Sequence, residues 1–148
     1  MSNTRTAVIF TLFSFLTFFQ ITSFAQTPRK FKKRGYYLSL IFMGLPDPHQ
    51  SELRVIDRAK HGGHNVPLYE IEFNFYGNLL MLNKNFRLFD EIIVVDSSKN
   101  MQHKILLHMR HLKILSYTPL NSQPSWFTKF LPNFLRFIKS EEKNQKKK

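Results

Sequence analysis

Arg54 and Arg58 stand four residues apart, His61 lies three further on, and Gly62-Gly63-His64 follows at once. On a helix this spacing aligns the three basic side chains along one face. Cations beside a glycine hinge suit a flap that closes over phosphate. The plainer use of the same residues is a solvated basic face ended by a glycine cap. Asp96 with Ser98 is the second candidate, at the end of EIIVVD. An acid closing a β-branched run can hold a metal or a ribose in nucleotide-binding folds; the simpler use is to cap the loop that follows. His103, His108 and His111 have no carboxylate between them, and their spacing puts at most two on one helical face. They read as scattered surface histidines, not as a metal centre. With no cysteine, disulfides and thiolate metal sites are excluded. No metal site and no catalytic residue is assigned.

The elements that must position these residues are legible in outline. The run at 36–45, YYLSLIFMGL, is nearly unbroken and apolar, closed by Gly44 and the Pro46/Pro48 pair. A short run bounded by breakers fits a strand buried on both faces of a parallel sheet. Its carboxyl end, followed by LPDPHQ, is where parallel α/β sheets bind ligands. Ser51 with Glu52 suggests a helix N-cap, and Gly62 suggests that helix's end. Leu53, Ile56 and Ala59 or Lys60 fall on a different side from the arginines. Pro67 suits the first turn of a second helix. There Leu68, Ile71, Phe75, Leu79 and Leu82 step by three or four, a stripe about 80° wide. Phe73 falls opposite, where a polar residue is expected. The run at 91–96 is the second strand, 103–117 holds one or two short strands, and 126–138 is an amphipathic closing helix broken near Pro132. That closing helix is expected to pack on the domain rather than lie on a membrane.

The chain is long enough for one domain with a real core. Its formal charge of +12 is concentrated at RKFKKR (29–34), within a stretch read as a basic linker from Arg29 to Gly35, and in the lysine-rich tail at 139–148. Without a recognition motif, these runs are read as solvated segments and not as a nucleic-acid site. Residues 1–28 carry Arg5 and a phenylalanine-rich apolar run, with Ser23 and Ala25 before Gln26. Alone, that is the pattern of a secretory signal peptide. The competing reading is a remnant of a longer upstream domain.

The sequence RVIDRAKHGGHNVP, then a helix, then FDEIIVVDSS, resembles the C-terminal half of the zeta-toxin-like P-loop kinases, also described as UDP-N-acetylglucosamine kinase-like proteins. Gly35-Tyr36 matches the Gly-Tyr strand that opens this part of the family's pattern. Arg54, Arg58, Gly62, Gly63, His64, Val66 and Pro67 match its Arg-Val-x-x-Arg-Val-x-x-Gly-Gly-His-x-Val-Pro block, and Asp96 and Ser98 its Asp-Asn-Ser strand end. The resemblance implies an α/β fold with part of a P-loop NTPase-type parallel sheet and a helical lid hairpin, the N-terminal half missing. It divides the chain into the N-terminal segment at 1–28, the C-terminal part of a kinase domain at 29–138 and the basic tail. Arg54, Arg58, Gly62, Gly63 and His64 would be the ATP-facing lid, and Asp96 and Ser98 a polar strand-end site. The implied activity is transfer of the γ-phosphoryl of ATP, with Mg²⁺, to a small hydroxyl acceptor such as a nucleotide sugar, with an antitoxin-like protein as a possible partner.

Three departures count against activity. None of the five glycines belongs to a G-x-x-x-x-G-K-[ST] phosphate loop. Phe73 and Asn74 stand where the family pairs arginines, and Gly77 stands where it often has another. Arginines on a transferring phosphoryl group are worth about 10³ to 10⁵ in rate. The expectation is an inactive relative that binds neither ATP nor Mg²⁺ tightly. Because RKFKKRGYYLSLIFMGL runs smoothly into family-like sequence, a cytoplasmic remnant is preferred to a secreted or membrane-associated basic protein.

Overall fold

The computed structural model describes residues 6–11, 23–99 and 102–145. Five strands form one sheet in the order β1-β2-β3-β4-β5: β1 Thr6–Thr11, β2 Tyr37–Gly44, β3 Glu91–Lys99, β4 Gln102–Arg110 and β5 Lys113–Tyr117. The first three run parallel, with Ile9 opposite Leu40 and Leu40 opposite Ile92. The last two are antiparallel, with Ile92 opposite Met109 and Arg110 opposite Lys113. The fold is therefore α/β with a mixed open sheet, in which the parallel part expected from the resemblance is β1, β2 and β3 and is extended by two antiparallel strands. Only His111 and Leu112 separate β4 from β5, too few for a parallel return, whereas the parallel strands are joined through helices.

Those helices are α1 (Ser23–Lys33), α2 (Pro48–Lys60) and α3 (Leu68–Asn85), and the chain closes with α4 (Ser125–Phe130) and α5 (Pro132–Gln145). The alternating residues Leu38, Leu40 and Phe42 of β2, with Ile92 and Val94 of β3, form one core with Phe75, Leu79 and Leu82 of α3 and with Trp126, Phe127, Phe134 and Ile138. Opposite neighbours on the same strands, Ile41, Met43 and Ile93, are only partly buried. Such alternation is what a period-two strand produces when its main helical layer lies on one face.

Several expectations are met in detail. Ile71, Phe75, Leu79 and Leu82 are buried on α3 and Phe73 is 64% exposed, but Leu68, the first member of the expected stripe, is exposed at the start of the helix. The closing helix does break, at Leu131 before Pro132. Two others are overturned. The basic run at 29–34 is not a linker: most of it is the last turns of α1, whose Lys30, Lys32 and Lys33 sit where a helix dipole favours cations. Ser51 is not the N-cap of α2. Asp47 is, accepting the Gln50 N–H at 2.9 Å with Pro48 opening the helix, and Ser51 is buried within the first turns.

Of the signal-like segment, only Thr6–Thr11 and the start of α1 lie among the described residues, with the remainder of 1–22 outside them; 146–148 of the basic tail also lie outside. Among the described residues, no helix is long and apolar enough to cross a membrane.

Candidate functional site: the carboxyl edge of the parallel strands

The carboxyl edge is built from the ends of β2 and β3, where Gly44 lies opposite Asp96. Trp126 packs directly over Gly44, and a β-carbon there would lie 2.1 Å from the indole ring. Only glycine lets the ring come so close. The Trp126 Nε1–H donates to Asp96 Oδ1 at 3.1 Å, and the same oxygen accepts the Ser98 N–H at 3.2 Å and the Ser98 hydroxyl. Three donors on one oxygen make Asp96 the cap of its own strand end and the anchor of α4. Its neighbour Ser97 is fully buried and shares a 3.1 Å hydrogen bond with His103 Nδ1.

Arg54 reaches this edge from α2. Its guanidinium donates to the Ser97 carbonyl at 2.5 Å, and burial pulls its pKa below the ordinary arginine value. Arg58 turns the other way. Its guanidinium meets the His64 carbonyl at 3.5 Å, while its own carbonyl accepts the Gly63 N–H at 3.0 Å. Gly62 takes a φ of +89°, and Gly63 lies so near Arg58 that a β-carbon would sit 2.7 Å from Arg58 Cγ. The Gly62-Gly63-His64 corner is thus folded back on the helix it ends. Two arginines that share a helical face in sequence are sent to two different backbone carbonyls.

The histidines also disperse. His103 bonds Ser97, His108 Nε2 lies 2.9 Å from Glu91 Oε1, and His111 lies 3.7 Å from Asp90. Among the described residues, no three His, Asp or Glu side chains converge as metal ligands. Sequence reasoning missed Trp126 as the partner of Asp96, since 30 residues separate them and no local pattern links an indole to a distant carboxylate. It also passed over the Asp47-Pro48 pair, whose type and order do announce a helix start.

Fold and edge together define an α/β protein with a mixed open sheet and a helical hairpin, α2 and α3, inserted between two adjacent parallel strands. No family model, curated protein or solved structure matches the chain.

Proposed function

We propose that this chain is a catalytically silent relative of the zeta-toxin-type P-loop kinases. It keeps the lid hairpin and the strands beside it and uses the former nucleotide edge as a structural joint. One observation carries the reading: the groups expected to meet phosphate and Mg²⁺ are engaged inside the protein. Arg54 donates to the Ser97 carbonyl, and Asp96 Oδ1 receives Trp126 and Ser98. A carboxylate oxygen already taking three donors is a poor Mg²⁺ ligand, and an arginine aimed at a carbonyl does not face a γ-phosphoryl. These engagements argue against Mg-ATP at this edge. The kinship itself is supported by the parallel pairing of β2 and β3 with the hairpin between them.

Titration calorimetry with Mg-ATP tests the proposal. The expected result is no micromolar binding; micromolar affinity abolished by Arg58→Ala would overturn it. The engagement of Thr6–Thr11 as a strand beside β2 favours a domain that includes its N-terminal segment, in the cytoplasm, over an exported protein. Intact-mass measurement after expression checks this. Cleavage after Ala25 would remove β1 and the first residues of α1, and would favour the secreted reading.

A further inference from the structure

A second concave region lies away from the carboxyl edge, where α3 ends and the chain turns into β3. It is a solvent-open cleft of about 380 Å³ lined by Asn83, Lys84, Phe86, Arg87, Asn133, Arg136, Phe137 and Ser140. Three of these are cations and none is an acid. Two of the chain's cations are paired with carboxylates, Lys32 with Asp90 and Arg110 with Glu91. Among the described residues, Lys84, Arg87 and Arg136 have no carboxylate within ion-pair distance.

The walls of the cleft are fixed. Buried Asn83 accepts the Asn133 N–H at 2.8 Å, and its carbonyl accepts Asn133 Nδ2 at 3.0 Å, which locks the end of α3 to the start of α5. Arg87 is held by two rings, its guanidinium carbon 5.2 Å from the Phe86 centroid and 5.4 Å from that of Phe137. Aromatic contact of this kind orients a guanidinium, here an exposed one, while its N–H groups remain able to donate. Arg136 is steadied by one bond, from its NH2 group to Asn133 Oδ1 at 3.0 Å. Three like charges lining one cleft repel each other, and an anion among them removes that repulsion. The volume is that of a small-molecule site, and the donor set, two forked guanidiniums and an ammonium, is the chemistry that recognises phosphate.

We propose that the cleft bounded by Lys84, Arg87 and Arg136 binds the phosphate groups of a small phosphorylated molecule. This site is separate from the carboxyl edge and does not depend on the kinase kinship. The probe is inorganic pyrophosphate, titrated calorimetrically into the full chain at low salt. The variants are Arg87→Gln, Arg136→Gln and Lys84→Gln, with Lys139→Gln and Lys113→Gln as controls outside the cleft and Arg58→Ala as the report on the carboxyl edge. Binding is expected in the full chain, to weaken by at least about tenfold in Arg87→Gln and Arg136→Gln, and to change less than about twofold in both controls. Circular dichroism identifies any variant that fails to fold, and the remaining cleft variants then carry the test. Absence of binding at millimolar pyrophosphate would overturn the proposal, as would equal weakening in Lys139→Gln, which would mean a general field only. A single-stranded oligonucleotide that binds where pyrophosphate does not would overturn it in favour of nucleic acid. Loss in Arg58→Ala with no loss in the cleft variants would move the site to the carboxyl edge, and so contradict this inference while reopening the kinase reading.

Discussion

Replacing Gly44 with alanine tests the joint at the carboxyl edge. The new β-carbon would stand 2.1, 2.2 and 2.6 Å from three carbons of the Trp126 ring. Carbon atoms rest about 3.5–4.0 Å apart, so the ring would have to retreat by roughly 1.5 Å. It has little room to do so. Trp126 is 1% exposed, its Nε1–H is tied to Asp96, and its ring centroid lies 6.3 Å from that of Phe42 and 5.8 Å from that of Phe127. Overpacking of this kind costs about 1–3 kcal/mol, and loss of a hydrogen bond to a charged group adds about 1.5–3 kcal/mol if the indole is pushed off Asp96. The expected penalty is therefore about 2.5–6 kcal/mol, or roughly 5–25 °C in Tm for a chain of this size. Urea denaturation followed by circular dichroism measures it, and fluorescence of this single tryptophan reports whether the ring has moved. The decisive arm is the Trp126→Ala background. That change alone should cost about 3–5 kcal/mol, but adding Gly44→Ala to it should stabilise by up to about 1 kcal/mol, since alanine is the better strand residue once the ring is gone. A single-variant cost under about 0.5 kcal/mol, or the same cost with and without the indole, would refute the reasoning.

Two further outcomes are expected. Glu91 accepts hydrogen bonds from His108 and Arg110, which hold its carboxyl below the usual pKa. Its folded pKa being depressed, its contribution is present above about pH 4.3, the unfolded value, and is lost as pH falls through the folded value. Glu91→Gln should accordingly lower the urea midpoint at pH 7 and shrink the loss on acidification, so that variant and parent converge near pH 2; parallel pH curves would contradict this. Gly62 has φ +89° with open space around it, so Gly62→Ala should meet only backbone strain of about 1–2 kcal/mol by thermal denaturation. Asparagine, which tolerates this region, should cost less, and an alanine variant as stable as the parent would exclude the left-handed cap.

Much of the layout could be read from residues alone, because it is encoded locally. The apolar runs that become β2 and β3, the apolar stripe of α3 and the break at Pro132 all follow from period and punctuation. What was hidden depends on distant or ambiguous partners. The run at 6–11 is as apolar as a signal segment, and only its pairing with β2 distinguishes a strand. The turn from β4 to β5 puts His111 and Leu112 at positive φ, without the Asn-Gly pair that announces such turns, so the hairpin stayed unresolved in sequence. The candidate site was half legible. Gly62 at the helix end and Arg58 beside it were foreseeable, but helical spacing could not tell that Arg54 finds Ser97 and Arg58 finds His64.

Val55, Val66 and Ile71 form a small apolar cluster of their own, not joined to the main core that holds the sheet. With Leu53 and Ile56 about half exposed, α2 is fastened mainly by this trio, by buried Ser51 and by the side-chain bonds of Arg54 and Arg58. Such a segment detaches as a unit long before the rest melts. Amide protons from 48 to 66 should therefore trade with deuterium well ahead of those in β2 and β3, and a protease should nick this limb while the sheet behind it stays whole.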